Sequence, residues 1–478
     1  MSILNQFPYS EPRAGQTALL TTLEKLWSQY DVFVITAPTA FGKSAVIRTL
    51  QKWQYSASAI TPTNMLVEQF LTEFPDAPTL HRLDSYECAE WQTNCAAHRG
   101  RTRGFCRGCP ASADLARARY RRGPGIYNYY TYLAHRLYRD VLVVDEAHNL
   151  VPTLQAQLAE RLWLHDYPEL RGSPATLLER VNHLPKRKQQ HKKVAHLREA
   201  LESAAPHHVI QFTTDEFNGK GTKRGEPEER PCIKLFPVDV GDAFSMFTGS
   251  DVQKIVLLSA TIGPVDIAEL GLQHRRVCYL QAAHPIAAGR RPVQIIPVAD
   301  LNHSNLEASV PALAEEIQAI ANYHTGEKGI IHATYQLSSL LGKHLTGRRF
   351  IFHDRLNKRE QYERFRASPP SDGAILVASG MYEGVDLPDD AGRWQVIAKC
   401  PWPSLGDPAI AYKADRDPDW YRWRTLRDLI QACGRICRSE TDFGATYVLD
   451  KSTERLIQQS QHLIPQWFKD ALTAGELT

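Results

Sequence analysis

Three short segments, far apart in the chain, carry side chains whose types and spacing suit phosphate chemistry. Residues 37–44 read Ala-Pro-Thr-Ala-Phe-Gly-Lys-Ser. They follow the apolar run Asp31–Thr36 and precede a helical pattern, the strand–loop–helix setting that a phosphate-binding loop needs. In such a loop the backbone around Thr39, Ala40 and Gly42 and the first turn of the helix face the anion, where the helix dipole favours negative charge. Lys43 would reach the β- and γ-phosphates of ATP, and Ser44 would ligate Mg²⁺. Ala37 stands where the usual pattern has its first glycine.

The second segment is Asp145-Glu146-Ala147-His148, directly after the apolar run Val141–Val144. A carboxylate at the end of a buried strand is costly unless it has a partner, and Mg²⁺ is one. Asp145 would hold the metal and Glu146 would orient and deprotonate an attacking water. A plain helix cap is the alternative for Asp145 taken alone. The third segment is Gln431-Ala-Cys-Gly-Arg435-Ile-Cys-Arg438. Gln431, Arg435 and Arg438 are spaced by four and three, so one helix face can present all three. Arginines brought from a second domain can stabilise charge on a transferring phosphoryl group.

These segments need rigid elements to hold them. Strand-like runs at Asp31–Thr36, Ala57–Thr61, Val141–Val144 and Ile255–Leu258 form one group. Gly329–Ala333, Arg349–Phe352, Ala374–Val377, Trp394–Ala398 and Ala445–Leu449 form a second. Such runs, alternating with helical patterns, predict an α/β chain with two covered parallel sheets. Between the groups, 151–242 reads as mostly helical, ending in a polar, Gly-rich loop over 217–231.

The chain has 478 residues, 43% of them hydrophobic and 23% charged, which excludes a wholly disordered or fibrous protein and suggests about three domains. No apolar run approaches the roughly 18 residues of a membrane span, and the N-terminus lacks the pattern of a signal peptide. Those features predict a cytoplasmic, nucleoid-associated protein. The net charge of +3 hides an asymmetry. Between His81 and Arg139 eleven arginines face four acids, a local +7, which leaves −4 for the rest. Four of the nine cysteines, Cys88, Cys95, Cys106 and Cys109, lie in that window, as do Tyr127 and Tyr129. Clustered arginine with aromatic side chains suits single-stranded nucleic acid, and a solvated basic face is the blander reading. Four thiolates can hold a [4Fe–4S] cluster or Zn²⁺, and the C-x2-C pair by itself favours zinc.

In order along the chain, YSEPRAGQ (Arg13, Gln16), TAPTAFGKS, DEAH, SAT (259–261), GMYEGVDLP (380–388) and QACGRICR resemble superfamily 2 helicases of the XPD/DinG-like group. The resemblance runs from about residue 9 to 450. It implies two RecA-like motor domains, the first interrupted by a cysteine-rich iron–sulfur insert and then by a small helical arch. The expected boundaries are 1–87, 126–150 and 243–263 for the first motor domain, 88–125 for the cluster insert, 151–242 for the arch and 264–478 for the second motor domain. It further implies adenine recognition by Arg13 and Gln16 and nucleotide contacts at Gly384 and Asp386. A [4Fe–4S] cluster is expected at the four cysteines, although the fourth family cysteine usually lies nearer DEAH. DNA contacts are expected at Arg99, Arg101, Arg103, Tyr127 and Tyr129, with a buried aromatic strand or helix as the alternative for any single tyrosine. The function this implies is a monomeric 5′→3′ DNA helicase, driven by ATP, on single-stranded and forked DNA. An RNA helicase and an ATP-driven remodeller that clears bound proteins without parting strands are the rivals.

Overall fold

Apolar runs without alternation are satisfied only when a strand is covered on both faces. The computed structural model meets that requirement twice. It describes residues 2–81, 83–88, 93–95, 109–120, 123–203, 208–217, 228–249, 251–302, 304–381 and 387–474. The first sheet contains β1 (Val32–Thr36), β2 (Ala57–Thr61), β3 (Gly125–Asn128), β4 (Val141–Val144), β5 (Lys254–Ser259) and β6 (Val277–Gln281). All its pairings are parallel, in the order β6-β1-β5-β4-β2-β3. One face packs Val32, Val34, Leu142 and Val144 into one core, and the other packs Phe33, Ile35, Val141 and Val143 into a second.

The second sheet contains β7 (Val293–Ala299), β8 (Gly329–Ala333), β9 (Phe350–Phe352), β10 (Ile375–Ser379), β11 (Trp394–Ile397), β12 (Ala445–Asp450) and β13 (Leu472–Ala474). It is also parallel, in the order β9-β10-β8-β11-β12-β7-β13. Four helices matter for the site: α1 (Ala14–Leu26), α2 (Lys43–Trp53), α3 (Tyr129–His135) and α4 (Pro418–Cys433).

Every strand expected from the sequence is present. In these two sheets four more were not expected: β3, β6, β7 and β13. β3 holds only four residues, and β6 and β13 are sheet edges whose partial exposure dilutes the apolar signal. β6 pairs with β1 over its whole length, and Ile267 and Leu270 join the first core. The first sheet therefore extends past the expected boundary at 263, and the division falls between Gln281 and Val293.

Residues 151–242 also differ from expectation. They are not mostly helical: Glu160–Trp163, His208–Phe217 and Glu228–Pro237 form an antiparallel sheet. Short helices at Leu177–Asn182, Lys186–Gln189 and Lys192–Glu202 complete the unit. Leu162, Leu177, Val181, Val194, Leu197, Ile233 and Leu235 give it a core of its own. The expected loop at 217–231 is shorter at its far end, because Glu228–Pro231 pair with Thr214–Phe217, and Arg230 lies 4.2 Å over the Phe217 ring. Residues 218–227 lie outside the described residues.

Trp394 shows how tightly the second sheet is filled. Its indole is fully buried against Gly329 on the neighbouring strand, where a Cβ would lie 2.1 Å from Trp394 Cε2. Gly329→Ala should destabilise the second sheet by roughly 1–3 kcal/mol, the usual cost of overpacking a filled core, as read by urea denaturation followed through tryptophan fluorescence.

Candidate nucleotide site between the two sheets

The phosphate loop leaves β1 with its ladder still intact, since Ala37 N–H donates to Ser259 O at 2.8 Å. Ala37 is fully buried in this role, which accounts for a small apolar residue in place of glycine. The loop then turns through left-handed backbone at Ala40 (φ 65°) and Gly42 (φ 81°) before α2 starts at Lys43. Gly42 is required twice over, because a Cβ there would lie 2.6 Å from Gln16 Nε2. Gln16 is buried; its amide donates to Phe41 O at 2.8 Å and its Oε1 accepts from Arg13 N–H at 3.0 Å. Arg13 donates to Ala40 O at 2.6 Å and pairs with Glu440 of the second sheet's domain at 3.0 Å. Here both residues expected at adenine brace the loop backbone.

Across the loop stands the carboxylate pair. Lys43 Nζ lies 3.0 Å from Glu146 Oε1. Burial pulls the Lys43 ammonium down, but the charges of Glu146 and Asp145 outweigh it and the net shift is upward. Burial likewise pushes Glu146 up, and Lys43, His148 and Arg435 bring it below its ordinary value. Asp145 is left with the unfavourable balance: burial first, then the neighbouring Glu146 charge, push its carboxyl up to about 7. Its Oδ1 is buried without a hydrogen-bond partner. An orphaned buried carboxylate oxygen beside a phosphate loop is a donor that suits Mg²⁺, so Asp145, with Ser44 from the loop, fits the metal expected there. His148 is neutral, held down to about 3 by burial, with Nδ1 2.8 Å from Ser259 Oγ. DEAH and the SAT segment thus meet through one hydrogen bond.

The second sheet supplies α4, which lies against this site. Its residues Trp423, Arg427 and Gln431, spaced by four, all reach the first domain. Gln431 Nε2 donates to Thr261 Oγ1 at 2.8 Å. Arg427 Nη1 donates to His148 O at 3.1 Å and lies 3.5 Å from Asp266 Oδ1. Trp423 Nε1 and Gly263 N–H both donate to Asp266 Oδ2, at 2.8 and 2.9 Å. Lys413 and Glu269 form a further ion pair across the seam. A Cβ on Gly434 would lie 3.5 Å from Thr39 Cγ2, so the turn after α4 lies against the phosphate loop. Arg435 acts electrostatically on Glu146 and His148, and Arg438 on Lys43. The expectation that one helix face presents Gln431, Arg435 and Arg438 is corrected: α4 ends at Cys433, so Gln431 lies on the helix and both arginines follow it in the turn, with left-handed backbone at Cys437. Buried Asp442 fixes the Arg438 backbone by accepting its N–H at 2.7 Å, along with Asp389 N–H at 3.0 Å.

Of the residues expected from the sequence (Lys43, Ser44, Asp145, Glu146, Gln431, Arg435 and Arg438), the structure pairs Lys43 with Glu146 beside Asp145 and sets Gln431 against Thr261. Sequence reasoning missed Asp266, Trp423, Arg427 and Asp442, whose roles depend on contacts distant in sequence. The helical spacing of Arg427 and Gln431 was the one available signal. Gly384 and Asp386 lie outside the described residues, as do Arg99, Arg101, Arg103 and Cys106. Tyr127 and Tyr129 are corrected: both are buried in the first core, so neither ring offers a stacking surface to DNA. Of the cysteines, Cys95 and Cys109 converge, with sulfurs 3.8 Å apart and no disulfide. Burial raises the Cys109 thiol, but N–H groups of Ser112 and Ala111 at the start of the following helix bring it below its ordinary value. That donor pair suits a thiophilic metal. Cys88 is buried on a separate two-residue strand, and among the described residues no three metal-ligating side chains converge.

Residues 330–471 match the helicase C-terminal domain family, a stretch that holds β8 to β12 and α4. The regulator of telomere elongation helicase 1 homolog of Drosophila sechellia is 24% identical over 297 residues, 53% of this chain and 30% of that protein. The Anopheles gambiae homolog is 30% identical over 118 residues, 21% of this chain and 12% of that protein. Among solved structures, S. tokodaii Xpd4 shares the fold with a TM-score of 0.59 at 13% identity, over 97% of this chain and all of that one. An XPD helicase structure does so at 0.60 and 12% identity, over 98% and 100%. Residues 330–471 thus match a helicase C-terminal domain, and the chain as a whole shares the fold of these XPD structures. It spans less than a third of the length of the curated relatives it matches.

Asp266 makes the seam between the two domains pH-sensitive. Burial pushes its carboxyl up to about 6, opposed by Arg427. A carboxyl raised on folding adds stability below its unfolded pKa of 3.8, and that stability is lost as pH rises through the folded value. The wild type should therefore gain thermal stability relative to Asp266→Asn as pH falls from 7 to 4. A difference in melting temperature that is flat over that range would contradict the buried position of this carboxyl.

Proposed function

We propose that the chain is an ATP-dependent DNA helicase that moves 5′→3′ on single-stranded DNA. The observation that carries the hydrolytic part is the ion pair of Lys43 with Glu146 beside the orphaned Asp145 oxygen, faced by Arg435 and Arg438 from the other sheet. When ATP enters, its phosphates offer Lys43 a stronger partner, and Glu146 is freed to take a proton from the attacking water. Asp145 and Ser44 would hold Mg²⁺, which when bound neutralises phosphate charge. Arg435 and Arg438 stabilise charge on the γ-phosphoryl, and Gln431 reports the state of that site to Thr261. Because both sheets contribute, hydrolysis alters the fit between them, and movement on a strand follows.

DNA as substrate and the 5′→3′ direction rest on the resemblance to the XPD/DinG-like helicases. The local +7 between His81 and Arg139 supports a phosphate-binding face there, with Arg99, Arg101 and Arg103 as contacts. Cys88, Cys95, Cys106 and Cys109 are assigned to a [4Fe–4S] cluster, with Zn²⁺ as the alternative. The motor is taken as a monomer.

Lys43→Ala and Glu146→Gln should each abolish ATP turnover, the second while still binding ATP. Arg435→Ala should lower turnover by roughly 10³-fold. The deciding assay is ATPase and unwinding on forked DNA with 5′ or 3′ tails, alongside an RNA of the same sequence. Stimulation by DNA with a preference for the 5′ tail is expected; stimulation by RNA alone, or hydrolysis without unwinding, overturns the assignment. Anaerobically purified protein should be brown and contain iron and sulfide, whereas a colourless chain with one zinc would replace the cluster. Charge removal at Arg99, Arg101 and Arg103 together should weaken DNA binding and flatten its salt dependence; unchanged affinity would move the DNA path elsewhere.

A further inference from the structure

Glu146 has an unusual backbone. Its φ of 46° and ψ of 47° are left-handed, a strained conformation for a residue with a Cβ that persists only where the surroundings fix it. The ion pair with Lys43 holds the side chain. Asn149 N–H, donating to Glu146 O at 2.9 Å, closes the turn from one side. From the other side comes a buried phenol: Tyr129 Oη lies 2.5 Å from Asp145 O and 3.1 Å from Glu146 O. A phenol has one proton, so it is shared between two successive carbonyls or passes from one to the other.

We propose that Tyr129 is a positioning residue for ATP hydrolysis: its hydroxyl fixes the Asp145 and Glu146 carbonyls and so keeps the Glu146 carboxylate facing the phosphate loop. The inference rests on the hydrolytic reading given above. Tyr129 touches neither phosphate nor metal, and acts through the backbone of the two residues that would. Its own place is well defined. It is the first residue of α3, and Asn128 before it caps that helix by accepting Thr131 N–H at 2.7 Å while bonding to Asn64 on the helix after β2. The ring packs in the first core with Leu142, Val144 and Ala147, and that packing does not need the oxygen.

Tyr129→Phe in the full chain removes the hydroxyl and keeps the ring. The expected result is kcat lowered about 10-fold, with KM for ATP and the affinity for a fluorescent ATP analogue within twofold of wild type. Amide hydrogen exchange at Ala147–Asn149 should accelerate by a similar factor. Tyr132→Phe, which also removes a buried hydroxyl in the same core, should keep the wild-type kcat. A kcat within twofold of wild type overturns the proposal, as does a rise in KM that matches the fall in kcat. Equal losses in both variants would make the effect one of general core packing and also overturn it. If the wild type itself fails to hydrolyse ATP, the proposed function falls. Exchange then still decides the positioning role, since unchanged protection at Ala147–Asn149 in Tyr129→Phe refutes it.

Discussion

Two adjacent carboxylates at the end of a buried strand, balanced by one lysine, set the terms for the rest of this molecule. A low-dielectric site disfavours each charge, and each charge disfavours the other. Lys43 can neutralise only one of them. It takes Glu146, which is thereby kept ionised, and Asp145 is pushed toward its neutral form. Asp145 is the carboxylate a divalent cation suits, and Glu146 is the one that can accept a proton. The division of labour between the two follows from which of them the lysine reaches, and that follows from β1 and β4 lying on either side of β5, where Val34 and Val144 both pair with Leu257.

The same imbalance makes the second sheet part of the site. Positive charge is needed around the carboxylates, and Arg435 and Arg438 bring it from another domain. Their reach depends on α4 staying fixed, and the fixing is polar and buried: Asp266 with Trp423 and Arg427, and Gln431 with Thr261. Buried polar seams of this kind are satisfied in one geometry and costly in others, so they specify a docking position more sharply than an apolar face of equal area. The SAT segment sits where these contacts meet. Ser259 bonds His148, Thr261 bonds Gln431, and Gly263 bonds Asp266. A change at the carboxylates has short covalent and hydrogen-bonded routes to α4.

Local chemistry made the candidate site legible in the sequence. A phosphate loop, a paired carboxylate after a core strand and an arginine pair just past a helix end are each encoded within about eight consecutive residues. The central strands were legible for the same reason, since burial on both faces writes an unbroken apolar run. The edge strand β9 was legible too, but the edge strands β3, β6 and β13 were not: β6 alternates between sheet and solvent, and the domain boundary was misplaced with it. The insert at 151–242 was misread because its long hairpin mixes polar and β-branched residues, HVIQFTTDEF, whose pairing depends on a partner strand some twenty residues away. Asp266 and Arg427 look like ordinary helix surface charges in sequence and become buried only when two domains meet.

The tyrosines show where composition misleads. Clustered arginine and tyrosine is the right vocabulary for single-stranded DNA, but vocabulary does not say which way a ring points. Tyr127 and Tyr129 are separated by two, the strand period, so they fall on one face of the segment as β3 ends and α3 begins. That face is the core. Tyr130, the next residue along, points outward and is half exposed. A period of two separates Tyr127 and Tyr129 from Tyr130, and a helical spacing of three from Tyr129 then returns Tyr132 to the core. The polar atom of a core tyrosine still needs a partner, and for Tyr129 the partners are the two carbonyls behind the catalytic pair. A residue first read as a nucleic-acid contact thus faces the nucleotide machinery from behind, and it does so because a buried hydroxyl must find an acceptor.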